Sequence, residues 1–267
     1  MPGRSVRPHH ADRAIPLDEK ALDLGTQRVL DAFSRILARL PLDDVWATAK
    51  WFAENRDRGT KPASRQYVPL TPFFDVPWKT VRGWPLDSIR VTPVLIHAPK
   101  NVPYRLPVIH DAHMNASGRR DASVYVRVNV ASPDITELRD HPEKFFPIIR
   151  SKLLHELTHV RDYIRERDVI DPSEDLRGYF NSPHEVRAYM QQIIDDVLRV
   201  APSLQEKAYL SRTPNELVVE GSLSESLAWN KIERFLNATN RARILKNVVL
   251  ALSDRGLLHS RRPRLPA

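Results

Sequence analysis

One segment limits the fold of this chain more than any other. Residues 124–130 read Val-Tyr-Val-Arg-Val-Asn-Val, so valine occupies every second position. Because side chains of a β-strand point alternately to opposite faces, the valines share one face and the tyrosine, arginine and asparagine share the other. The alternation predicts a β-strand over residues 122–131, with one apolar face.

The flanking sequence has the patterns of further strands and of many helices. β-Branched runs bounded by turn-forming residues predict two more strands, at residues 89–98 and 104–110. Apolar residues at helical spacing predict helices at residues 17–40, 42–55, 140–165, 182–200, 214–237 and 239–253. The sequence therefore predicts a mostly helical α+β fold, with a small mixed sheet packed beside the long helix at 140–165.

Composition excludes several classes of site. The 267 residues include no cysteine, which excludes a disulfide scaffold, a cysteine-ligated metal and a cysteine nucleophile. No apolar run approaches the roughly 18–20 residues that span a bilayer, and the N-terminus lacks the apolar stretch of a secretory signal. We expect a cytoplasmic protein with no membrane contact.

The helix at 140–165 carries the pattern His-Glu-x-x-His. His155 and His159 are four residues apart, so their imidazoles lie on one face of the helix and can converge on one metal ion. Glu156 lies about 100° further around the helix, where its carboxylate can reach a water on that ion. Zinc lowers the pKa of such a water, and a carboxylate can take its proton and pass it to a leaving amine. The pattern predicts one catalytic zinc, with Glu156 as general base, although a buried pair of histidines can also be purely structural.

A zinc hydrolase needs a third protein ligand, and three carboxylates compete for that role. Asp162 shares the helix face but lies too far along the axis, so we expect it to accept a hydrogen bond from a ligand histidine or to form a salt bridge. Glu185 begins a later helix that can return antiparallel, and Ala188 would permit close helix packing. Ser182 and Glu185 also match a capping box, in which Glu185 would only cap its own helix. Glu220 is the reserve candidate, and Glu185 is favoured.

This arrangement resembles the gluzincin group of zinc metallopeptidases, which carry His-Glu-x-x-His on one helix and a glutamate ligand on a later one. The matching residues are His155, Glu156, His159 and Glu185. The resemblance implies a zincin-like fold with an edge strand that binds extended peptide beside the active-site helix. The resemblance assigns residues 124–130 as this peptide-binding strand and implies that Val126 and Val128 contact the substrate. The subfamily motif Asn-Glu-x-x-Ser-Asp is absent around Glu185, so no subfamily is assigned.

Peptide hydrolysis also needs a donor to the oxyanion of the tetrahedral intermediate. Tyr179 is favoured because it lies in the loop before the Glu185 helix; His184, Arg187 and Tyr189 are alternatives. The segment His110-Asp111-Ala112-His113 could hold a second metal, but a solvated turn is the simpler interpretation.

The predicted organisation has four parts: a disordered arm at 1–16, an N-terminal helical and loop region at 17–86, a zincin-like metallopeptidase domain at 87–255 and a basic tail at 256–267. The 41 basic and 33 acidic residues give a formal charge of +8. The expected partner is a peptide or protein substrate, with a weak nucleic-acid contact through the run Arg261-Arg262-Pro263-Arg264. Two other functions stay open, a nucleic-acid-associated protein and a catalytically inactive zincin-fold binding module. An intact Glu156 argues against the second of these.

Overall fold

The computed structural model describes residues 19–39, 67–69, 74–77, 86–96, 107–116, 122–166, 175–208 and 213–258. Its strands are β1 (Tyr67–Pro69), β2 (Phe74–Pro77), β3 (Leu86–Ile96), β4 (Ile109–Ala116) and β5 (Ala122–Asn129). Its α-helices are α1 (Glu19–Arg39), α2 (Ile135–Asp140), α3 (Phe146–Glu166), α4 (Leu176–Asn181), α5 (Pro183–Ala208), α6 (Pro214–Glu225), α7 (Leu227–Ile232) and α8 (Ala238–Asp254). The predicted α+β class with a small mixed sheet is confirmed. The predicted arm, the helix at 42–55 and the basic run of the tail lie outside the described residues.

The sheet has the strand order β1-β3-β5-β4, and β2 also pairs with β3. β3 and β5 run parallel, whereas the other pairs are antiparallel. β5 is therefore an inner strand; among the described strands, β4 forms one edge of the sheet, and β1 and β2 lie on the other side of β3. The alternation predicted for β5 is present, since Val124, Val126 and Val128 are fully buried.

This strand order corrects one prediction. Val126 and Val128 were expected to contact substrate from an edge strand. β5 is instead paired on both sides, with β3 and with β4, so its backbone has no free edge for a peptide. The two valine side chains have 0 % exposure and belong to the core. The prediction is wrong because sheet order depends on long-range pairing that the local alternation does not encode.

A first hydrophobic core lies between α1, the sheet and α3. α1 contributes one face at helical spacing, including Val29, Phe33 and Ile36, each 1 % exposed or less. α3 contributes Leu153, Leu157 and other apolar residues to the same cluster. The first core thus includes residues from both sides of the boundary predicted at residue 87.

A second core is built by the helices that follow α3. α5 supplies residues such as Ile193 and Val197, which pack with apolar side chains of α4, α6, α7 and α8. The helix predicted over 214–237 is broken at Ser226, whose hydroxyl accepts a hydrogen bond from the backbone N–H of Trp229 and caps α7. α3 packs against α5, so the two cores meet along this helix pair.

Candidate metal centre

α3 brings the two histidines to the junction of the two cores. Leu153 and Leu157 anchor the helix in the first core, which leaves the face that carries His155 and His159 directed at α5. His155 and Glu156 are each only 8 % exposed. The predicted start of this helix at Asp140 is wrong: α2 ends there, and a short 3₁₀ turn at Pro142–Phe145 precedes α3.

Glu185 lies in the first turn of α5 and faces both histidines. Its Oε2 is 3.5 Å from Nε2 of His155, and its Oε1 is 3.4 Å from Nε2 of His159. The capping-box alternative is not formed, because the Ser182 hydroxyl donates to the carbonyl of Tyr179 and the Glu185 carboxylate points at the histidines. The structure therefore brings together three of the residues singled out in the sequence.

The donor atoms of this cluster have the spacing that a zinc ion requires. The Nε2 atoms of His155 and His159 are 3.1 Å apart. Ligands held at 2.0–2.1 Å in a tetrahedron are about 3.3 Å from one another, which agrees with the three separations between imidazole nitrogens and carboxylate oxygens. Oε2 of Glu185 is buried and has no hydrogen-bond partner, as a metal-ligating oxygen would be before metal binds. These residues therefore fit a metal ion by both distance and donor chemistry.

The electrostatics of the cluster favour the ligand-competent protonation state at two of its three residues, His155 and Glu185. At His159, burial would lower the pKa, but the carboxylates around it outweigh that effect and raise the pKa, so this imidazole gives up a proton when a metal binds. Burial lowers the pKa of His155 to about 4, which keeps this imidazole neutral. Burial would raise the pKa of Glu185, but the two histidines that face it outweigh that effect and hold the pKa well below its usual range. A neutral imidazole and an ionised carboxylate are the forms that bind a metal.

Aromatic packing contributes to the orientation of His155. Its Nδ1 is buried without a hydrogen-bond partner, although ligand histidines commonly donate from this atom to an acceptor. The ring of Tyr189 instead packs edge-on against the imidazole, with 4.4 Å between ring centroids. Tyr189 is 4 % exposed, so it is held firmly in the second core and restricts rotation of the imidazole.

The general-base candidate is held by the edge strand. The backbone N–H of Met114, in β4, hydrogen-bonds the Glu156 carboxylate, and the charge of Lys152 one helical turn earlier also stabilises the ionised form. Burial is the larger effect and raises the pKa of Glu156 to about 7. Glu156 is next to the metal candidates but is not one of the three clustered residues.

The other two carboxylate candidates lie elsewhere. Asp162 is buried and forms a salt bridge with Arg187 of α5, with 2.8 Å between Oδ2 and Nε. Of the two roles predicted for Asp162, the structure thus shows the salt bridge, which ties α3 to α5. Glu220 is exposed on α6, outside the cluster.

The candidates for an oxyanion donor are arranged around Glu185. Tyr179 lies in α4 and not, as predicted, in a loop. The Tyr179 hydroxyl faces the Glu185 carboxylate, and burial and that charge raise the pKa of Tyr179 above its usual range, so it remains a neutral donor. The His184 ring lies 5.9 Å from that of His159. Arg187 is committed to Asp162, and the Tyr189 ring packs on His155.

The segment from His110 to His113 is strand, not a turn. Asp111 pairs with Arg127 at 3.1 Å, and the His113 ring stacks on Tyr125 with 4.9 Å between centroids. Within the described ranges, the only group spaced to hold a metal is His155, His159 and Glu185.

Sequence reasoning missed two groups near the site, the backbone of Met114 and the side chain of Lys231. The polar–apolar alternation of Asp111, Ala112, His113 and Met114 is a strand signal that could have extended the predicted strand to β4. No local signal indicated Lys231, because its approach to the site depends on how α7 packs.

Comparison with known proteins does not assign this chain to a family. No protein-family model matches the chain, and neither the curated proteins nor the solved structures gave a significant match. Among the described helices, none combines the length and apolar character needed to cross a membrane.

Proposed function

We propose that this protein is a zinc-dependent metallopeptidase of zincin-like fold. The observation that carries the proposal is the meeting of His155, His159 and Glu185 at zinc-ligand spacing, with Glu156 buried beside them. A structural pair of histidines would need neither a third converging ligand nor an additional buried carboxylate. The arrangement is also the one expected from the resemblance to gluzincins.

Each residue has a defined part in the proposed hydrolysis. His155, His159 and Glu185 hold the ion, and zinc, when bound, supplies a Lewis acid that activates water near neutral pH. Glu156 accepts the proton of the attacking water and delivers it to the leaving amine. Tyr179 is proposed to donate a hydrogen bond to the oxyanion, since its neutral hydroxyl lies beside the ligand Glu185.

The edge strand β4 takes the role first assigned to β5. Met114 directs its backbone N–H at Glu156 rather than at β5, so the outer edge of β4 faces the proposed catalytic residues. An extended peptide can add to such an edge through backbone hydrogen bonds. We therefore propose β4, not Val126 and Val128, as the strand along which a peptide substrate lies.

Metal content and turnover together test the proposal. We expect about one zinc per chain by elemental analysis, with loss of zinc in His155→Ala. Glu156→Gln should keep zinc and fold but lose about 100- to 10,000-fold in peptide hydrolysis, because an amide cannot accept the proton. Glu220→Gln is the matched control for removal of a glutamate and should leave turnover unchanged. Full turnover by Glu156→Gln, or a purified protein free of zinc that takes up none, would contradict the proposal.

A further inference from the structure

Lys231 extends toward the candidate metal centre from the second core. It lies in the last turn of α7, which is fixed by the buried Trp229 and Ile232. The ammonium Nζ is 5.3 Å from the centre of the Tyr189 ring and 6.0 Å from that of Phe180. The Tyr189 ring in turn packs against His155, so only one aromatic ring separates the ammonium from a proposed zinc ligand.

The ammonium has no carboxylate partner in the part of the chain that the structure describes. Its contacts there are the two aromatic rings, which cover part of the side chain, while the residue as a whole keeps solvent exposure. Of the other cations near the site, Arg187 pairs with Asp162, Arg127 pairs with Asp111, and Lys152 is half-buried beside Glu156. A lysine held over aromatic rings by cation–π contact is restrained in position while its hydrogen-bond donors remain available.

Two opposing effects act on the pKa of Lys231, and burial is the larger one. Burial against the rings lowers the pKa of Lys231, whereas the charges of Glu185, Glu156 and Asp111 raise it. In the proposed enzyme, Glu185 binds zinc and Glu156 binds the Met114 backbone and water. Lys231 is then the cation best placed to bind a negative group brought by the substrate.

We propose that Lys231 binds a carboxylate of the peptide substrate and so determines specificity. The proposal rests on the proposed metallopeptidase function. The two contacts through Tyr189 place Nζ within about 10 Å of the His155 ring centre, which is about three residues of extended chain. The carboxylate is therefore a C-terminal carboxylate or an acidic side chain within about three residues of the cleaved bond.

Peptide binding to an inactive protein tests this without turnover. Zinc-loaded Glu156→Gln protein is titrated with one fluorescent peptide in three forms: a free C-terminal acid, the C-terminal amide, and the amide with Glu in place of an internal Gln. We expect at least one carboxylate form to bind more tightly than the neutral amide. Adding Lys231→Gln should weaken that form about 5- to 10-fold, the scale of a partly exposed charged hydrogen bond, and leave the neutral amide unchanged.

Two further variants make the comparison specific. Lys246→Gln removes an exposed lysine of α8 that is distant in sequence from the three metal candidates. This variant should leave all three affinities unchanged. Lys231→Arg keeps the charge and should restore much of the preference. The form that loses affinity in Lys231→Gln identifies the source of the carboxylate, either the C-terminus or a side chain.

The outcomes separate this inference from the proposed function. Equal binding of acid and neutral peptides, an acid preference that survives Lys231→Gln, or no peptide binding at all would overturn the role of Lys231. If acid preference depends on Lys231 but zinc-loaded wild-type protein cleaves none of the peptides that it binds, the hydrolytic function fails while the binding role stands. If the zinc-loaded protein cleaves peptides and neither binding nor cleavage depends on residue 231, the hydrolytic function stands and the role of Lys231 fails.

Discussion

Replacing Glu185 with glutamine separates metal binding from the folding role of this residue. Glutamine keeps the size of the side chain and can still accept hydrogen bonds, but its neutral amide oxygen is a poor zinc ligand. Glu185 is 4 % exposed and its oxygens lie 3.4 and 3.5 Å from the two histidine nitrogens. We expect zinc affinity to fall at least 10-fold, by analogy with damage to metal shells.

The loss of affinity has a calculable effect on stability. A ligand that binds only the folded state stabilises it by RT ln(1 + [L]/Kd), so a 10-fold weaker site loses about 1.4 kcal/mol at a fixed saturating zinc concentration. In a protein of this size, that corresponds to a decrease of about 3 to 6 °C in melting temperature. Without zinc, Glu185→Gln retains the volume and the packing but loses the charge that faces the two histidines, so its melting temperature in chelator measures that contribution separately from zinc binding.

The assay is thermal melting with saturating zinc and with chelator, together with chelator competition for the zinc affinity. Glu220→Gln is the control, because this exposed glutamate of α6 was the alternative ligand. A Glu185→Gln protein that melts at lower temperature yet binds zinc like wild type would refute the reasoning. A loss of zinc in Glu220→Gln would transfer the role to that residue.

Two further predictions concern residues that support the site and the core. Tyr189→Ala should weaken zinc binding several-fold while Tyr189→Phe does not, because the ring, not the hydroxyl, restrains His155; chelator competition measures both, and equal affinities would exclude this role. Burial raises the pKa of Asp195 to about 6 despite its salt bridge with Arg150, so the folded state binds more protons than the unfolded state between about pH 4 and pH 6. Stability from this group is therefore present at about pH 4 and is lost as the pH rises through 6. From about pH 4 to pH 6, the stability of Asp195→Asn relative to wild type in urea unfolding should therefore increase by about 1–2 kcal/mol, because asparagine does not titrate. A stability difference that stays constant over this pH range would contradict the assignment.

The parts of the fold that could be predicted from sequence are those encoded by short-range periods. The alternating valines of β5 and the apolar face of α1 require only neighbours within a few residues, and both elements formed as predicted. The convergence of His155 and His159 is of the same kind, because four residues along a helix place two side chains on one face. The prediction that Glu185 meets the two histidines required one additional assumption, that a later helix returns to α3. The structure shows that return.

The errors in the sheet occurred where long-range pairing decides the outcome. The position of β5 inside the sheet depends on β3 pairing parallel to it and β4 antiparallel, and nothing in the valine pattern specifies these partners. β4 itself was missed as the edge strand because its polar residues were interpreted as a turn. Asp111 and His113 are stabilised there by cross-strand contacts with Arg127 and Tyr125, which exist only after the strands have paired.

The position of the cluster between two cores relates metal binding to the assembly of the fold. His155 and His159 belong to α3, which packs into the first core, whereas Glu185 belongs to α5, which packs into the second. Each core already has a large apolar interior, so zinc is not needed to form either one. Zinc would instead fix α3 and α5 relative to each other, together with the Arg187–Asp162 salt bridge between the same helices. Glu156 belongs to α3, whereas Tyr179 belongs to α4 and packs against the second core, so a shift between the cores would separate the general base from the proposed oxyanion donor before it unfolded either core.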